Sequence, residues 1–265
     1  MKKFLFPAIA VLLIAVSCST VPLTGRKQLA LLPESEMIAM GLTSYQEFMK
    51  ENPLSADKFN ASVVAGIGND LSSAVASYFA ANNLSSRLEG YQWEYALVES
   101  KVPNAFCLPG GKVVIYNGIL PFTADKNGLA VVISHEIAHA VARHGNERMS
   151  QQLLVQLGGM ALSEAIKTKP EETKGIFNTV YGIGAQVGMI LPYSREHEYE
   201  ADKLGLIFMA MAGYDPQSAI SFWERMSSSG GEKPPEFLST HPSDARRIAA
   251  IKAAMPEIMK YSKQQ

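Results

Sequence analysis

A chain of 265 residues that is 47% hydrophobic and 18% charged has the apolar content to fold around a core, which excludes a disordered or low-complexity protein. A net charge of −1 gives no electrostatic basis for binding nucleic acid. Two cysteines are too few for a disulfide framework.

The N-terminus reads as a targeting segment. Lys2 and Lys3 precede an apolar stretch over 4–16 that is short for a membrane span. Ala15-Val16-Ser17-Cys18 resembles a bacterial lipobox, so cleavage after Ser17 would leave Cys18 as a lipidated N-terminus. An ordinary secretory signal with an incidental cysteine is the other reading. Ser19 in the next position points to the outer membrane. The expected organisation is a signal peptide over 1–17, a tether over 18–32 and one domain over 33–265. With Cys18 used, Cys107 has no disulfide partner and reads as a small packed residue.

Pro33-Glu34-Ser35-Glu36 predicts the start of a helix running over 37–49. Apolar residues at helical spacing predict a second helix over 56–81, ended by Asn82-Asn83. Tyr91, Trp93, Tyr95 and Leu97 alternate with Gln92, Glu94 and Ala96, the period of a strand. Gly110-Gly111 then turns the chain into a second strand over 112–116. Further helices are expected over 127–144, 148–167, 175–191, 194–211, 216–226 and 242–260, with 227–235 an exposed loop. The segments 153–166 and 175–191 are apolar and glycine-rich. Gln156, Glu164, Asn178 and Gln186 interrupt them, which argues for core helices rather than a membrane span. Together these elements make an α+β fold, mainly α-helical, with a small sheet.

The helix over 127–144 carries His135-Glu136-Ile137-Ala138-His139, an HExxH motif in an apolar run. Residues four apart on a helix share a face, so His135 and His139 can offer two imidazole nitrogens to one metal ion. Glu136 sits about 100° round the helix from His135, near the metal without ligating it, where a general base for water belongs. The helix from Ser194 should hold the third ligand. Glu198 and Asp202 share a face, the spacing of a ligating glutamate and a carboxylate that holds the other ring nitrogen of a ligating histidine. On spacing alone Glu196, His197 and Glu200 compete for the ligand role. Two histidines and one glutamate leave a fourth position for water, the mark of a catalytic rather than a structural zinc site.

Three stretches in order, HEIAHAVARHGNER, SREHEYEAD and STHPSDARR, resemble the HtpX- and Ste-type gluzincin metallopeptidases. The likeness is greatest to periplasmic or lipid-anchored members (LoiP- and BepA-like) and to the Oma-type catalytic domain, and it runs over about 32–256. It implies a zincin-like metallopeptidase domain with a small β-sheet beside the HExxH helix, one Zn2+ per chain, and Glu198 as third ligand. His241 reads locally as a helix-start residue before Pro242. The resemblance implies that it lies near the zinc, to stabilise the oxyanion or fill the open coordination position in a resting form. Arg247 matches an accompanying arginine that orients the site. PNAFCLPGG, ending at Gly111, resembles the lead-in to a substrate-binding edge strand and implicates Asn104, Gly110, Gly111, Lys112 and Val113. An exposed strand edge can take an extended peptide as a further strand. His144 matches a family position and reads as a structural or capping cation near the helix C-terminus.

The expected function is a membrane-anchored zinc endopeptidase for unfolded or misassembled envelope proteins, held by Cys18 on the periplasmic side of a bacterial membrane. Nucleic acid is not an expected partner. The second reading is a gated peptidase acting mainly as a periplasmic chaperone or assembly factor.

Overall fold

The computed structural model describes residues 18–158, 160–181, 194–228, 236–241 and 245–262. The expected signal segment, the latter part of the 175–191 helix, most of the 227–235 loop and Pro242 lie outside the described residues. In chain order the elements are a hairpin of β1 (Cys18–Thr20) and β2 (Lys27–Leu29), helices α1 (Glu34–Glu51) and α2 (Lys58–Ala81), and strands β3 (Glu94–Val98), β4 (Ala105–Leu108) and β5 (Lys112–Tyr116). The short α3 (Leu120–Thr123), α4 (Lys126–Ala142), α5 (His144–Leu157), α6 (Leu162–Thr168) and α7 (Pro170–Tyr181) follow. Helices α8 (Arg195–Ala212), α9 (Ser218–Ser228), α10 (Glu236–Thr240) and α11 (Ala245–Ile258) complete the fold. It is α+β and mainly helical, as the sequence patterns predict.

β5 is the central strand of the larger sheet, parallel to β3 and antiparallel to β4. The two-residue period of the strands sorts their side chains into two cores. Leu97, Ala105, Cys107, Val113 and Ile115 pack with α2, α4 and α8. Ala96, Val98, Phe106, Leu108 and Val114 pack with α1, α5 and α7 on the other face. Cys107 is thus a buried packing residue.

Helix α4 is buried from Gly128 to Ala142, which explains an apolar run without an obvious polar face. Asp125 caps it by accepting from the Gly128 N–H at 2.9 Å. Its main helical neighbour is α8, which begins at the Ser194 cap and closes at Gly213 with φ +91. Gly205 lets these two helices meet. A Cβ there would lie 2.9 Å from the Ser134 carbonyl oxygen and 3.1 Å from the His135 nitrogen.

Several expectations are corrected. The helix expected to run to 144 ends at Ala142, because Arg143 takes a left-handed conformation (φ 62) and α5 starts at once with His144. The helix expected over 148–167 is broken by Gly158 (φ 63). The strand expected from Tyr91 begins at Glu94. Residues 18–32, expected as a tether, are folded onto the body. Gln28 donates to the Ala142 carbonyl at 3.0 Å, and Arg26 reaches both α5 and α8. Among the described residues no helix is long and apolar enough to cross a membrane.

Candidate active site

Helices α4 and α8 carry their polar residues to one buried point. The Nε2 atoms of His135 and His139 are 3.0 Å apart. Glu198 reaches both, with Oε2 3.4 Å from His135 Nε2 and Oε1 3.3 Å from His139 Nε2. His241, just after α10, brings Nδ1 to 3.2 Å from Glu198 Oε1. One potential ligand atom from each of these four residues lies within 4.8 Å of the others. The competitors for the third position are engaged elsewhere. Glu196 is exposed beside Arg26, His197 meets Glu147, and Glu200 meets His144.

The cluster is held from behind. Asp202 Oδ1 lies 3.0 Å from His135 Nδ1. Arg247 donates to both oxygens of Asp202, at 2.7 and 2.8 Å, and its Nη1 lies 2.6 Å from Glu198 Oε2. The guanidinium is stacked 3.6 Å from the centre of the Trp223 ring and is 1% exposed. Burial would raise the Glu198 carboxyl, but the positive charge of Arg247 outweighs it, with help from the three histidines, and holds the group well below the usual carboxylate range. Asp202 is lowered by Arg247 against the same burial. The two motif histidines are driven apart. Burial disfavours the His135 cation, yet Asp202 and Glu198 overcome it and raise His135 to about 9. Burial dominates at His139 and keeps it neutral.

Glu136 is 3% exposed, and its Oε1 lies 3.3 Å from His241 Nε2 without accepting a hydrogen bond among the described residues. Burial raises its carboxyl above the ordinary range despite the neighbouring histidines. Two imidazole nitrogens, a carboxylate oxygen kept ionised, and an adjacent buried carboxyl with an unused oxygen fit a divalent metal and a base beside it.

A narrow pocket joins Glu136 and His241 to Asn104, Ala105, Phe106 and Cys107 along the outer edge of β4, under Val180, Tyr181 and Thr240. It leaves about 10 Å³, at the lower limit for one water molecule. The Phe237 N–H donates to the Pro103 carbonyl at 3.1 Å and draws α10 over this edge. Asn104 therefore lines the site. Gly110, Gly111, Lys112 and Val113, expected as substrate-binding residues, do not line this pocket. Both glycines form the β4–β5 turn at φ +87, Lys112 Nζ is bonded to the Gln92 carbonyl and Glu94, and Val113 is a core residue of the central strand. β5 has neighbours on both sides, so the edge strands are β3 and β4, and β4 is the one beside this pocket.

Of the two readings of His144, structural or capping, the structure agrees with the first. His144 is fully buried, burial lowers it to about 4, and it is a neutral ring rather than a capping cation. Its Nδ1 is 3.0 Å from His139 Nδ1 and its Nε2 is 3.2 Å from Glu200 Oε2. His139 and His144 are five positions apart, off-face on a continuous helix. The left-handed Arg143 makes their contact possible, and the sequence patterns do not signal it. Glu147 and Glu200, both buried, half-buried Arg26 and exposed Thr24 join the same network.

Comparisons with known proteins agree with the cluster. The model of Peptidase family M48 matches residues 68–255. The chain is 37% identical over 174 residues to the mitochondrial metalloendopeptidase OMA1 of Schizosaccharomyces pombe, covering 65% of this chain and 49% of that protein. It is 31% identical over 247 residues to the human metalloendopeptidase OMA1, mitochondrial, covering 90% and 46%. It is 30% identical over 243 residues to the beta-barrel assembly-enhancing protease of Yersinia pestis, covering 86% and 47%. The chain thus spans about half the length of the curated relatives it matches. The mitochondrial relatives match at higher identity than the bacterial protein, and this overturns the expected periplasmic, outer-membrane location in a bacterial envelope. The Cys18 side chain lies outside what the structure describes. With the family model covering more than half of its residues, the chain belongs to peptidase family M48.

Proposed function

We propose that the chain is a zinc-dependent endopeptidase, with His135, His139 and Glu198 as the metal ligands. The observation that carries this is the convergence of those three residues on one buried point with Glu136 beside them and the edge strand β4 alongside. When bound, zinc supplies Lewis-acid chemistry, acidifying water to a pKa of ~7 and polarising a carbonyl. The protein supplies the proton transfers. Glu136, whose carboxyl burial raises above the ordinary range, accepts the proton of the attacking water and returns it to the leaving amine. An extended substrate pairs with the backbone groups of β4, so binding depends little on substrate side chains.

His241 is the fourth donor of the cluster, in the position that water would need. In this reading the closed pocket is a resting form. His241 must leave the donor cluster before hydrolysis, and is then available to donate to the developing oxyanion. Unfolded or misassembled proteins are the substrates this arrangement suits, because they can supply an extended strand. The test is cleavage of casein by the zinc-loaded full chain beside Glu136→Gln. Cleavage by the parent alone supports the reading. Equal cleavage by Glu136→Gln would remove Glu136 as base, and no cleavage by a protein holding one zinc would favour a gated binding protein.

A further inference from the structure

The ring nitrogen of His139 that faces away from the donor cluster is held by a chain of groups that starts at buried His144 and ends on the N-terminal hairpin. A histidine that ligates through Nε2 keeps its proton on Nδ1. His139 Nδ1–H then donates into the lone pair of His144 Nδ1, 3.0 Å away. This fixes the tautomer of His144, which donates from Nε2 to Glu200 Oε2 at 3.2 Å. Thr24 Oγ1 donates to the other oxygen of Glu200 at 2.6 Å, and Arg26 Nε donates to Oε2 at 3.0 Å. The far side of the Arg26 guanidinium makes paired bonds of 3.0 and 2.7 Å to Glu147. Glu147 meets His197 Nε2 at 3.0 Å, and the His197 ring stacks on His144 with centroids 4.5 Å apart. His144 is therefore gripped at both edges and across one face.

The two motif histidines differ in what supports them. His135 is held by Asp202 and Arg247, both in the C-terminal part of the chain. His139 is held through a relay whose outer anchors lie in the turn between β1 and β2. Groups that fix a ligating ring commonly change metal affinity about 10–100-fold when removed.

We infer that Thr24 and Arg26 are positioning residues of the metal site, acting on His139 through Glu200 and His144, so that docking of the β1–β2 hairpin sets how tightly the metal is held. The inference rests on the metal-site reading above. It makes the first turn of the described chain a structural part of the centre and gives any force or modification that undocks the hairpin a route to the metal.

The test is Zn2+ affinity of the full chain by competition with a chromophoric chelator, with the absorption spectrum of the Co2+ form as a second readout. Thr24→Val/Arg26→Met and His144→Leu should each weaken Zn2+ binding about 10–100-fold and alter the Co2+ spectrum. His144→Gln should recover part of the loss, because its amide can accept from His139 and donate to Glu200. A merely structural role would lower the thermal midpoint of the metal-free protein and leave affinity, spectrum and the Gln–Leu difference unmoved. A parent chain that binds one Zn2+ while Thr24→Val/Arg26→Met and His144→Leu match its affinity and spectrum overturns the inference. A parent chain that binds no Zn2+ overturns the metal-site reading itself.

Discussion

Asp202 Oδ1 lies 3.0 Å from His135 Nδ1, on the helix that also carries Glu198 one turn earlier. The ionised carboxylate fixes the proton of His135 on Nδ1 and leaves Nε2 to face Glu198, His139 and His241. Asp202→Asn keeps the shape and removes the charge. It should weaken zinc binding about 10–100-fold, read by chelator competition. Unchanged affinity would show that this bond does not orient His135.

Arg247 donates to both oxygens of Asp202, and it also contacts Glu198. Removing a partner from a buried ionic group costs about 3–5 kcal/mol, because the remaining charges are left uncompensated. Arg247→Met, which retains bulk over Trp223, should lower the stability of the metal-free protein by roughly that amount. Saturating zinc should restore part of it, since binding to the native form alone stabilises it by mass action. Urea unfolding with and without metal measures both effects. A midpoint equal to the parent's in the metal-free state would mean that the carboxylates find compensation elsewhere.

The fold class and the centre of the site were legible because both rest on local periodicity. HExxH puts two histidines on one helical face, and Glu198 with Asp202 repeats the same spacing on α8. What was not legible depends on topology or on one backbone angle. Strand order makes β5 central, so Val113 is a core residue and Lys112 is tied to Gln92 and Glu94, although the family resemblance implied a substrate-binding edge there. The left-handed Arg143 redirects His144 beneath His139, which no helical wheel anticipates. The hairpin over 18–29 carries no strong strand pattern, and its place is set by Arg26 meeting two carboxylates more than a hundred residues away.

Gly205 ties the packing of the fold to the geometry of the site. Any side chain there would press on the backbone of Ser134 and His135, moving α8 away from α4 and Glu198 away from the histidines. Gly205→Ala should destabilise the protein by about 1–3 kcal/mol despite the better helix propensity of alanine. It should also reduce zinc affinity, although residue 205 touches no ligand side chain. A stabilised variant with parental zinc affinity would mean that the helices separate without cost.

Glu147 gives the protein a specific acid sensitivity. Burial raises its carboxyl, but the bonds from His197 and Arg26 outweigh burial and hold it at about 2, against an ordinary value of 4.5. A carboxyl lowered in the folded state stabilises that state fully above its unfolded pKa, and the contribution is lost as pH falls through the folded value. Between pH 4.5 and about 2 the unfolded chain therefore takes up a proton that folded Glu147 resists. The metal-free protein should lose stability steeply across that window. Glu147→Gln should be less stable than the parent near neutrality, and the gap should narrow as pH falls toward 2. Urea midpoints at several pH values across the window measure the gap. A gap that stays constant from pH 5 to 2.5 would mean that Glu147 is protonated together in both states, and that its bonds to Arg26 and His197 contribute no charge-dependent stability.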